Sequence, residues 1–136
     1  MLESLPPEVA RNANLRGNEY AWTIATFPDA VADAEAADLA CLGGQFQFRL
    51  DDGTTYEMYW LNADSRERDS GEAWADYVHR SCAEVRANFE KLILTTDFAK
   101  EALNWQIRVD VNSDLVFVAY FVTEAALAEI SAQRNS

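Results

Sequence analysis

The sequence predicts an α+β fold: an antiparallel sheet built from two hairpins, with a long amphipathic helix packed on one face. Three observations point there. Gln45-Phe46-Gln47-Phe48-Arg49-Leu50 alternates apolar and polar residues, and so does Trp105 to Val111. Each stretch leads through turn residues into a second apolar run, the pattern of a hairpin. Between them Trp74, Tyr77, Val78, Ser81, Cys82, Val85, Phe89, Leu92 and Ile93 recur at three- and four-residue spacing, as one buried helical stripe does. Helices gathered on one face of an antiparallel sheet satisfy both patterns.

Taken in order, Pro6-Pro7 followed by Glu8 to Asn14 reads as a short opening helix, because proline suits a first turn. Thr26-Phe27-Pro28-Asp29 is a capping box for an alanine-rich helix to about Asp38, with Val31, Ala34 and Leu39 as its core side. Cys41-Leu42-Gly43-Gly44 puts two glycines in or beside a strand, the mark of a bulge or a close backbone approach. Phe46, Phe48 and Leu50 then share the buried face of a half-buried strand, with Gln45, Gln47 and Arg49 on the other. Asp51-Asp52-Gly53 turns the chain into a returning strand from Thr54 to Leu61, and a charged loop runs from Asn62 to Ser70. Asp69 and Glu72 form a capping box for the long helix, which ends near Leu94. Thr95-Thr96-Asp97 caps a short helix reaching Leu103. Trp105 to Val111 starts the second hairpin, and its nearly all-apolar return, Leu115 to Val122, is expected to be central. Thr123 caps a closing helix from Glu124 to about Gln133, followed by a frayed tail over 134–136.

A chain of 136 residues with no repeat or flexible linker fits one domain, in which 1–17 is an N-terminal segment. With 49% apolar and 12% aromatic residues it supports a core that needs no disulfide or metal staple. The opening residues lack the basic and apolar regions of a signal peptide, and no apolar run approaches 18 residues, so a cytoplasmic protein without a membrane partner is expected. Cys41 and Cys82 lack metal-ligand spacing and read as two reduced, buried thiols. Gly43-Gly44 is followed by neither a dinucleotide fingerprint nor the Lys-Ser/Thr of a phosphate loop, so no cofactor is implied. A single histidine, His79, falls on the polar side of the long helix and cannot assemble a triad or a multi-histidine metal site. The loop acids alternate with arginines and lack calcium-loop spacing. No catalytic constellation emerges, and the expectation is a protein that is not an enzyme.

Charge is more informative. Asp and Glu number 23 against 11 Lys and Arg, a net charge of -12, which repels nucleic acid and attracts basic proteins. From Gly17 through Phe48 there is no Lys or Arg, whereas Glu19, Asp29, Asp33, Glu35 and Asp38 are present. Asp29, Asp33, Glu35 and Asp38 are therefore the first candidates for docking a basic partner, with solubility alone as the competing explanation. Asp51 and Asp52 in the turn, and Asp64 and Glu67 in the loop, are the next. Trp22, Tyr56, Tyr59, Trp60 and Trp105 keep a second reading open: a small-ligand-binding or enzymatic α+β domain with the aromatic hairpin as its pocket.

Tyr20-Ala21-Trp22, then Leu39-Ala40-Cys41-Leu42-Gly43-Gly44-Gln45, then Tyr59-Trp60-Leu61-Asn62, then Gly71-Glu72-Ala73-Trp74 with Tyr77 and Arg80-Ser81 follow one another across residues 19–93. This order resembles a group of small bacterial immunity proteins of polymorphic toxin systems, in which an Ala-Trp near the start and a Leu-Gly-Gly-Asp before a strand recur. Gln45 stands where that group commonly has aspartate. The resemblance implies a toxin-neutralising, non-enzymatic protein made beside its toxin, with that cognate toxin as partner. An acidic domain without a catalytic constellation suits an inhibitor that covers a basic active site.

Overall fold

The computed structural model describes residues 4–134. Five helices and five strands follow in the order α1 (Pro7–Ala10), β1 (Asn14–Arg16), β2 (Glu19–Thr23), α2 (Phe27–Ala36), β3 (Ala40–Arg49), β4 (Thr55–Asp64), α3 (Trp74–Thr95), α4 (Phe98–Asn104), β5 (Leu115–Val122) and α5 (Glu124–Arg134). The strands make one antiparallel sheet in the order β1-β2-β5-β3-β4, so the apolar β5 is indeed central. The long helix α3 packs on the face that carries Phe46 and Phe48, as its stripe requires.

Four phenylalanines from four elements close the core. Phe27 of α2 lies 4.7 Å from Phe89 of α3 and 4.7 Å from Phe117 of β5, between ring centres. Phe46 of β3 lies 5.0 Å from Phe117 and 5.5 Å from Phe89. All four are essentially inaccessible to solvent. Ser81, the one serine in the α3 stripe, is buried because it accepts the Cys41 backbone N–H (3.1 Å) and donates to the Val78 carbonyl (3.2 Å), tying α3 to β3.

The two strand glycines have separate reasons. The register of β3 against β5 shifts between Cys41 and Gly43, and Gly43 takes φ 129°, which a side chain rarely allows. Gly44 lies so close to β5 that a Cβ there would stand 1.8 Å from the Val118 carbonyl oxygen.

Several expectations are corrected. The opening helix stops at Ala10, and the segment 1–17 also contributes β1, which pairs with β2 around Gly17 at φ 62°. Trp105 to Val111 is not a strand, so the second expected hairpin is absent. Both sides of β5 are already occupied by β2 and β3. Ile107, Val109 and Val111 are half-buried against the core while Arg108 and Asp110 face out, so alternation reports an extended cover here rather than a ladder. Asp114 and Asp110 hold the following turn through the Asp110 N–H (2.8 Å) and the Asn112 N–H (2.9 Å). Thr26 occupies the N-cap of α2 without capping it, its hydroxyl meeting Thr23 instead (3.0 Å). The Asp69–Glu72 box closes the turn ahead of α3, whose N-cap is Ala73. Asp97 and Thr123 do cap α4 and α5. Of the tail over 134–136, Arg134 closes α5 and 135–136 lie outside the described residues.

The expected solvated face of β3 is also buried, with Gln47 1% and Arg49 5% exposed. The cause is curl. Ala21 pairs with Val118 and Val118 with Gln45, so in a flat sheet Glu19 would align near Gly43, six residues or roughly 20 Å along β3 from Arg49. Yet the Arg49 guanidinium donates to the carbonyls of Glu19 (3.2 Å) and Asn14 (2.7 Å), and Arg16 of β1 donates to those of Leu50 (2.6 Å) and Thr54 (3.1 Å). The β1–β2 hairpin therefore arches over the second face and is held there by two arginines.

Phe89→Ala is expected to cost roughly 3 to 5 kcal/mol in chemical denaturation, the range for deleting a buried ring. Gly44→Ala is expected to destabilise more than Gly17→Ala, whose site has open space and only a φ penalty; comparing the two by thermal unfolding checks the close approach of β3 and β5.

Candidate functional site

On α2, Phe27, Ala30, Val31 and Ala34 face the core, and this places Asp29 and Asp33 on the outer side. Asp29 and Asp38 are exposed, while Asp33 and Glu35 are half-buried. Glu35 is engaged: its carboxylate meets His79 Nδ1 of α3 at 3.0 Å, and this hydrogen bond and charge raise the imidazole above its ordinary value. The pairing thus links α2 to α3 most strongly below the usual histidine range and fades as pH rises through the raised value. Asp38 follows the helix with φ 64°, and its carbonyl accepts the Trp74 indole N–H at 2.9 Å.

Asp51 and Asp52 are exposed in the β3–β4 turn. Asp52 accepts the Thr54 N–H (2.9 Å), and that bond holds its carboxyl below the usual range. Asp38 precedes β3 and Asp51 follows it, so the ten-residue strand sets them roughly 30 Å apart. Asp64 returns to the first end, paired in register with Gly43 and accepting from Asn62 Nδ2 (3.1 Å). Glu67 meets Arg134 of α5 at 3.6 Å. A cleft of about 510 Å³ is lined by Asp64, Glu67, Arg68, Tyr77, Leu127 and Arg134, among others. The eight carboxylates therefore lie on separate surfaces, with Asp51 and Asp52 remote from the rest.

Arg80 organises the loop ahead of α3. It grips both oxygens of Glu72 (2.8 and 2.9 Å), donates to Glu84 (2.8 Å), and reaches the carbonyls of Arg66 (3.2 Å) and Glu67 (3.0 Å). Arg68 crosses to Glu124 of α5 (2.9 Å) and stands 5.2 Å over the Trp74 ring. Within the loop Arg66 pairs with Asp69, but Arg68 and Glu67 find their partners on α5, so the loop's alternating charges are neutralised largely by neighbouring helices and not by one another.

The aromatic candidates divide. Trp22 is buried, its indole N–H donating to the Val9 carbonyl at 3.3 Å. Tyr56, Tyr59, Trp60 and Trp105 gather instead at the outer edge of β4. Met58 pairs with Phe46 and Asn62 with Gln45, so Tyr59, Trp60 and Leu61 bulge from the ladder. Tyr59 is 68% and Trp60 49% exposed. Trp60 stacks on Trp105 at 6.3 Å, with ring planes 16° apart, and donates its indole N–H to Glu101 of α4 at 2.8 Å.

Burial pushes the thiols of Cys41 and Cys82 up, the latter to about 12, so neither supplies a thiolate nucleophile near neutral pH. Among the described residues no three His, Cys, Asp or Glu side chains converge as a metal site, and no helix is long and apolar enough to cross a membrane. No family model matches the chain, and no curated protein or solved structure matches it.

Hydrogen bonds from Arg80 and the Asp69 N–H hold the Glu72 carboxyl at about 2, against an ordinary 4.5. A depressed value stabilises the folded state above the unfolded group's pKa and loses that contribution as pH falls toward the folded one. Urea midpoints for the wild type and Glu72→Gln should therefore differ most above about pH 4.5 and converge as pH falls toward 2. A constant difference across that window would mean that Glu72 acts by packing alone.

Proposed function

We propose that this chain is a toxin-neutralising immunity protein, which binds a cognate basic bacterial toxin in the cytoplasm and blocks it. The observation that carries the reading is how the positive charge is used. Arg16 and Arg49 serve backbone carbonyls inside the curled sheet. Arg66, Arg68, Arg80, Arg86 and Arg134 pair with Asp69, Glu124, Glu72, Glu90 and Glu67. Glu35 of α2 meets His79 and Asp52 has Arg16 nearby, but among the described residues Asp29, Asp33, Asp38 and Asp51 enter none of these ion pairs and contribute uncompensated to the net charge of -12. The likeness of residues 19–93 to immunity proteins supports the same conclusion. Of the aromatic residues named for the competing pocket reading, Trp22 lies in the core, while Tyr56, Tyr59, Trp60 and Trp105 gather at the exposed β4 edge.

Neutralising α2 with Asp29→Asn, Asp33→Asn, Glu35→Gln and Asp38→Asn together should slow association with the toxin encoded beside this chain by about tenfold at low salt, since long-range attraction acts mainly on encounter. Dissociation should change less. The wild-type on-rate should also fall as ionic strength passes 0.1 M, where exposed charges are screened beyond about 10 Å. Stopped-flow rates that ignore both changes would remove α2 as the steering surface. Failure of the two proteins to co-purify would remove the toxin as partner.

A further inference from the structure

The β4 edge presents aromatic surface that folding does not use. Tyr59 and Trp60 project from the bulge, and Trp105 is 37% exposed, whereas the aromatic residues of the core are almost fully covered. Exposed aromatic area of this kind is disfavoured in water and is characteristic of contact surfaces. The cluster is already in one arrangement before any partner arrives. Trp60 is fixed by its stack on Trp105 and its bond to Glu101, and Trp105 packs on Tyr56 at 5.0 Å. A cleft of about 320 Å³ beside it is lined by Thr55, Tyr56, Glu57, Tyr59 and Trp105, and Glu57 is exposed.

Two carboxylates stand at this cluster, the exposed Glu57 in the cleft and Glu101, which accepts the Trp60 indole N–H, while Arg16 at the Thr55 rim is already engaged with the Thr54 carbonyl and the Thr55 hydroxyl. Elsewhere the chain satisfies aromatic faces with its own cations, Arg68 over Trp74 and Arg80 over Tyr77; among the described residues no cation stands over Tyr59, Trp60 or Trp105. Indole faces flanked by carboxylates accept a guanidinium, which stacks on the ring while donating in plane to the acid.

We propose that the Trp60–Trp105 stack, with Tyr59 and Glu57, is the anchor site for an arginine-bearing segment of the partner protein. The inference rests on the protein-binding reading above, but it assigns short-range affinity to β4 and leaves long-range steering to α2. The test titrates the full chain with a capped peptide in which two arginines alternate with valines, following the tryptophan indole N–H resonances. The peptide should shift Trp60 and Trp105 while Trp22 stays still. Trp60→Ala should weaken binding about tenfold, the loss of one hot-spot contact. Trp60→Phe should retain most of it, Glu57→Gln should cost a few-fold as an exposed ion pair does, and the four-fold α2 variant should bind within about twofold of wild type. Equal binding of the same peptide with glutamine for arginine would overturn the proposal. So would tighter binding of spermidine or of a β-linked oligosaccharide, or a dimer that Trp60→Ala converts to monomer. If α2 proves irrelevant to toxin association while these results hold, the anchor stands and only the steering assignment falls.

Discussion

The meeting of Phe27, Phe46, Phe89 and Phe117 fixes the rest of the molecule. Each ring comes from a different element, two helices and two strands, and each touches at least two of the others. Because interiors are packed as densely as organic crystals, no one of these elements can rotate without displacing the other three. The outward direction of the α2 acids, the side of α3 that faces the loop, and the placement of β5 between its neighbours are all set by that one contact. Gly44 is the backbone counterpart: it lets β3 and β5 approach closely enough for Phe46 and Phe117 to meet.

Positive charge is the scarce resource of this chain, and most arginines are used within it. Arg49 is nearly buried without a carboxylate partner at its guanidinium, satisfied by Gln47 (2.7 Å), Asn14 and backbone carbonyls. Taking a cation from water in this way is costly, but a fork of donors matched to fixed carbonyls offsets much of that cost and defines a single position for the β1–β2 hairpin. The acidic exterior and the arginine-held interior are thus two aspects of one arrangement.

Periodicity made much of this legible. The α3 stripe, the β3–β4 hairpin and the trouble expected at Gly43-Gly44 could be read because each depends on neighbours in sequence, and the central position of β5 because a strand covered on both faces is apolar throughout. The β1–β2 hairpin had a signal too, the turn pair Gly17-Asn18, but the three-residue strand Asn14–Arg16 with its single apolar residue offers too little alternation to register. Ile107, Val109 and Val111 alternate because one side of an extended segment meets the core, and alternation does not say whether a neighbouring strand is present. The carboxylates were readable as residues but not as surfaces, since Asp38 and Asp51 look close in sequence and stand at opposite ends of β3. The aromatic edge was hidden for a related reason: a bulge is a mismatch between two strands, and neither strand alone records it.

The position of β5 has a consequence in time. Its partners β2 and β3 end at Thr23 and Arg49, so on synthesis from the N-terminus both precede it by at least 65 residues, and neither can complete its pairing until β5 arrives. Closing such long loops comes before any contact rewards it, which slows folding and favours a single cooperative step over assembly from the N-terminus. Until residue 122 is available, β2 and β3 each present an unpaired edge and an uncovered aromatic ring to the surrounding solution.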